Sequence, residues 1–167
     1  SYYYALLEQE DYIPDVFKNH ELTSLNLLAP AKPMLEMIEN QVYLIQQDYP
    51  KVIARSSKLL EVCQSLNYSL VAIHIQIQSV IALNQMGKKQ EALILLEHAL
   101  QVALPDYLLL PFVENYVYLK SLIPLCTTDF DFINQICLLG QQSLIRKQEL
   151  KQESYLGSAL LTQKEQK

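Results

Sequence analysis

Apolar residues recur along this chain at the three- and four-residue intervals of amphipathic helices, and the strict alternation that would announce strands is nearly absent. The stretches QVYLIQQDYPKVIARSSKLLEV (Gln41 to Val62) and VIALNQMGKKQEALILLEHALQVAL (Val80 to Leu104) repeat one pattern at an offset of about forty residues. At that offset Val52 falls on Ala92, Ile53 on Leu93, Leu60 on Leu100 and Tyr43 on Leu83, so apolar meets apolar. The turn repeats too, with Gln47-Asp48 standing where Gly87-Lys88 stands. A fainter third copy opens at Gln9-Glu10-Asp11-Tyr12, with Val16 and Phe17 in the places of Val52 and Ile53.

The pattern and its punctuation predict a truncated helix over Tyr2 to Glu8, a second from Tyr12 to about His20, and a polar connection over Glu21 to Asn26. Pro33 is placed to open a helix that runs to Gln46, because proline in the first turn loses no hydrogen bond. Asp48 caps a helix opened by Pro50 and ended by Asn67. A long helix over Tyr68 to Met86 and its partner over Lys88 to Ala103 follow, then a break at Pro105-Asp106. Pro111 opens a helix to Ile123, which Pro124 stops. Asp129 or Asp131 starts another, carrying Phe132, Ile133, Ile136, Leu139 and Leu144 to about Lys147. The expected fold is all-α, built from antiparallel helix-hairpin repeats in a solenoid over residues 1–147. Residues 148–167, rich in Gln, Lys and Glu, read as a linker or terminal helix.

Composition agrees: 167 residues, half of them hydrophobic, can bury one sizeable core, and only three Gly and no Trp suit helices. A net charge of −5 argues against nucleic-acid binding by this chain, which needs a basic face to release counterions. No signal peptide is visible, and every apolar run is interrupted before the ~18 residues of a membrane span. Cys63, Cys126 and Cys137 sit among apolar neighbours without short spacing, and read as reduced core thiols of a cytoplasmic protein. The chain opens on Ser-Tyr-Tyr-Tyr inside a helical pattern, the expectation for an excised fragment.

Leu83, Gly87, Ala92, Leu96, Ala99 and Pro105 have the spacing of a tetratricopeptide unit, and the stretch resembles one. Gly87 permits the tight turn, Ala92 and Ala99 allow close helix approach, and Leu83 and Leu96 fill the remaining space. The chain departs from the pattern at Gln76 and Val80, where a large aromatic and a glycine are usual.

Glu91 to Asn115, with Tyr107, the Pro111-Phe112 step and Glu114, resembles the end of the tetratricopeptide-like region of MalT-like regulators of the LuxR family. Leu161-Thr162-Gln163-Lys164-Glu165 resembles the opening of the helix-turn-helix domain that follows in that family. The resemblance covers roughly Tyr43 to Lys167 and is best over Val80 to Glu114. It implies a cytoplasmic transcriptional regulator in which an upstream ATPase module, a helical sensor region and a downstream DNA-binding domain act together. No Gly-rich loop with Gly-Lys-Ser/Thr and no complete helix-turn-helix lie in these residues, so ATP is expected only for an absent N-terminal module.

Catalysis is not expected. His20, His74 and His98 lack the i, i+4 spacing of a metal pair, and Cys63 or Ser69 near His74 lacks the glycine loops that shape a nucleophile's site. A binding groove is the better expectation, formed by the first helix of each repeat: His74, Ile77, Ile81 and Asn84, with Met34, Met37, Gln41 and Leu44 in the preceding copy. For most of these residues the competing role is packing against the adjacent repeat. Such a groove suits a small effector, a peptide or a partner helix, and flanking domains or self-association supply further partners. The alternative is a structural adaptor that holds a partner peptide with no transcriptional role.

Overall fold

The computed structural model describes residues 2–22 and 28–165, with side chains as far as Glu149. Among them all regular structure is helical: α1 (Tyr2–Leu6), α2 (Asp15–Lys18), α3 (Lys32–Ile45), α4 (Tyr49–Ser65), α5 (Ser69–Gln85), α6 (Lys89–Ala103), α7 (Leu110–Glu114), α8 (Tyr116–Leu119) and α9 (Phe130–Glu165), with short 3-10 turns between some of them. None of these helices is long and apolar enough to cross a membrane.

The forty-residue recurrence divides in two. Gln47, Asn67, Gly87 and Tyr107 all have left-handed backbone, with φ of 63°, 54°, 78° and 53°, so the turn recurs every twenty residues. Each closes the helix before it in one way. The amide of the left-handed residue reaches back to a carbonyl of the last turn, and the next amide reaches one residue farther, as in Gly87 N–H to Asn84 (3.0 Å) and Lys88 N–H to Leu83 (2.9 Å). This satisfies carbonyls that a helix end would leave orphaned and turns the chain back within three residues. Asp48 then caps α4, its carboxylate accepting the Lys51 amide at 3.3 Å.

The register holds residue by residue. Val52, Ser56, Leu59 and Cys63 are the buried face of α4; Ala92, Leu96, Ala99 and Ala103, forty residues on, are buried on α6. Between these helices lies α5, buried from Ile73 through Leu83 without interruption and packed against α3, α4, α6 and α7. A helix buried on every side is one enclosed by its neighbours, and α5 is enclosed by these four. One hydrophobic cluster runs from Tyr43 on α3 through Ile77, Leu96 and Phe112 to Ile136 on α9.

Three expectations change. The helix expected over Tyr12 to His20 shrinks to Asp15–Lys18, because Pro14 cannot donate to a helix and Ile13 before it is extended at φ −83°, ψ 128°. The helix expected from Pro111 to Ile123 breaks at Asn115. Its side-chain amide donates to the Pro111 carbonyl at 2.9 Å, taking the acceptor that a continuing helix would give to the backbone. At the other end α9 does not stop near Lys147; its backbone stays helical to Glu165. The connection expected over Glu21 to Asn26 lies largely outside the described residues, as do the side chains of the Leu161-Thr162 motif.

Candidate functional site

Of the eight groove residues expected from the sequence, five are packed inside the protein, His74 is buried against another part of the chain, and Met34 and Asn84 reach solvent to different degrees. Ile77, Ile81 and Leu44 are buried in the main cluster. Met37 and Gln41 are buried where α3 faces α5, and the Gln78 side-chain amide donates to the Met37 carbonyl (2.9 Å) and to Gln41 Oε1 (3.1 Å). Only Met34, 53% exposed, is open to solvent, while Asn84 is half-buried. At Met37, Gln41, Leu44, Ile77 and Ile81 the expected open groove is therefore corrected to buried helix packing. The physical reason is that α5 has neighbours on every side, which its sequence alone does not reveal.

His74 is 9% exposed, and its contact is the chain's own Tyr2. The Tyr2 hydroxyl lies 3.1 Å from His74 Nδ1 and donates to Glu114 Oε2 at 3.3 Å, so α1 is pinned to both α5 and α7. One hydroxyl carries one hydrogen. With it donated to Glu114, His74 Nδ1 carries its own and donates to the tyrosine oxygen. Burial sets the electrostatics: it lowers the His74 pKa to about 4, and it raises those of Tyr2 and Glu114.

A second polar centre went unrecognised in the sequence. Glu39, only 2% exposed, pairs through Oε2 with the Arg55 guanidinium, and Arg55 Nε donates to Asn40 Oδ1 at 3.0 Å. Glu36 stands 3.9 Å from the same guanidinium and 3.6 Å from Lys32. Arg55 also lies over the Tyr43 ring at 5.3 Å, and His20 stacks on that ring at 3.7 Å, nearly parallel. His20 Nε2 donates to Gln46 Oε1 at 2.8 Å, while its Nδ1 is 3.7 Å from Glu39, too far for a hydrogen bond. The legible signal was two carboxylates three residues apart on the buried side of a helix, opposite an arginine in the next helix.

Beside this centre α3 and α4 leave a pocket of about 370 Å³. Glu36, Glu39 and Arg55 form its polar side; Pro33, Leu59 and Val62 belong to its apolar side, with Lys58 also in the lining. No protein family, curated protein or solved structure matches this chain. Its function therefore has to be argued from these residues.

The charged groups here pair with one another, Glu39 and Glu36 with Arg55 and Glu36 also with Lys32. Among the described residues, no group of three or more His, Cys, Asp or Glu side chains is placed to hold a metal ion. Cys63 is buried, and burial raises its thiol pKa away from the reactive thiolate range. Cys126, half-buried, is pushed up to about 12 by burial and then by the nearby Glu97 carboxylate.

Proposed function

We propose that this chain is the helical-repeat sensor and interaction region of a MalT-like regulator of the LuxR family, working without catalysis of its own. The observation that carries the reading is the twenty-residue cadence of left-handed turns joining α3 to α6, with small residues at the close approaches. Repeated hairpins of this kind supply surface and leverage rather than reactive groups. Binding on such a scaffold acts by favouring one arrangement of the flanking modules over another, and its strength is set by the difference in affinity between the two arrangements.

Two measurements test the roles. The purified chain should show no ATP hydrolysis and no specific binding to duplex DNA; either activity overturns the division of labour. Sequencing the parent reading frame should reveal a Gly-Lys-Ser/Thr phosphate loop upstream of Ser1 and a basic helix-turn-helix downstream of Lys167. A frame that lacks both overturns the regulator and leaves an adaptor for a peptide.

A further inference from the structure

The pocket between α3 and α4 carries an unbalanced charge. Its charged lining is Lys32, Arg55 and Lys58 against Glu36 and Glu39, three positive groups against two negative. Arg55 is held by Glu39 and Glu36, and Lys32 by Glu36. Lys58 is exposed, and among the described residues no carboxylate stands within ion-pair distance of it. The lining beside Lys58 is aliphatic: Leu59 next to it and Val62 one turn along α4, Pro33 across on α3, and Leu22 at one side.

An occupant that matches this lining has one negative charge at one end and an apolar body. An anion that drew Arg55 from Glu39 would leave a buried carboxylate without its partner, and a cation would face Lys58 with no free carboxylate to offset it. At about 370 Å³ the space lies within the size range of small-molecule sites. We propose that this pocket binds a small aliphatic monocarboxylate, its carboxylate on the Lys58 ammonium and its chain against Leu59, Val62, Pro33 and Leu22. The proposal deepens the sensor reading by naming a class of effector. It rests on that reading only for what binding accomplishes, because the pocket lies wholly within this chain.

The test is calorimetric titration of the whole chain with octanoate, octan-1-ol and octylammonium as probes. Octanoate should bind saturably at one site, the alcohol about tenfold more weakly, and the ammonium not measurably. Lys58→Gln should weaken octanoate about tenfold and leave the alcohol unchanged. Ala54→Phe, an exposed position of α4 on the pocket wall, should block both, with circular dichroism verifying the fold. Equal affinity for octanoate and octan-1-ol, an octanoate affinity indifferent to Lys58→Gln, or no saturable binding to the folded chain would each overturn the proposal. Loss of the regulator reading would leave these titrations untouched, so the two failures are distinguishable.

Discussion

At the residue scale, the two polar centres differ in what holds them. His74 is buried neutral, with a folded pKa of about 4 against roughly 6.5 in the unfolded chain. Between those values the unfolded state takes up a proton that the folded state refuses. His74 therefore costs nothing above about pH 6.5, and stability drains as pH falls from there toward 4, by a total on the order of 3 kcal/mol. Urea denaturation at pH 7 and pH 4.5 should show His74→Gln losing less stability across that interval than the parent chain. Glu114, raised by burial, acts with the opposite sign, and the comparison of the two proteins isolates the histidine. The second centre depends on pairing. Arg55→Met strands the Glu39 carboxylate in the interior and should destabilise by about 3 to 5 kcal/mol. The double variant Arg55→Met with Glu39→Gln should recover much of that loss, measured by the same denaturation.

At the element scale, helix ends decide more than helix interiors. Gly87 has φ of +78°, and a Cβ there would meet nothing within 4 Å, so Gly87→Ala isolates the conformational cost. That cost should be about 1 kcal/mol. Gln47→Gly at the equivalent turn should run the other way, raising stability by about 0.5 to 1 kcal/mol. Gly140 is the opposite case. It sits inside α9, where alanine is the better helix former, yet a Cβ would fall 2.2 Å from the Tyr116 ring. Gly140→Ala should therefore destabilise the fold by about 1 to 3 kcal/mol despite its helix propensity, seen as a lower thermal midpoint, because α8 must move off α9. The turn at Gly87 was legible in the sequence, as was its echo at Gln47. Asn67 was legible as a helix end, but the left-handed backbone at Tyr107, just past the Pro105-Asp106 break, was not, because an aromatic side chain does not advertise it.

At the scale of the whole molecule, the hairpins are not self-sufficient. The repeat pattern ends at Pro105, but the cluster around α5 continues into Phe112, Leu119, Ile123, Phe132 and Ile136. A chain cut after Pro105 exposes Ala103, Leu100 and Ile77, and should lose its cooperative thermal transition, read by circular dichroism. The sequence by itself determined the all-α class, the forty-residue register and the buried positions Ala92, Leu96 and Ala99 of α6. Those depend on periodicity and on local turn and capping chemistry, which neighbouring residues dictate. Only the tertiary structure decided that α5 is enclosed, that His74 and Gln41 face the chain's own side chains, and that Glu39 meets Arg55 beside a pocket. Which apolar face is covered, and by what, depends on segments far apart along the chain: Tyr2 lies 72 residues from His74 and 112 from Glu114. Helical periodicity carries no term for such distances.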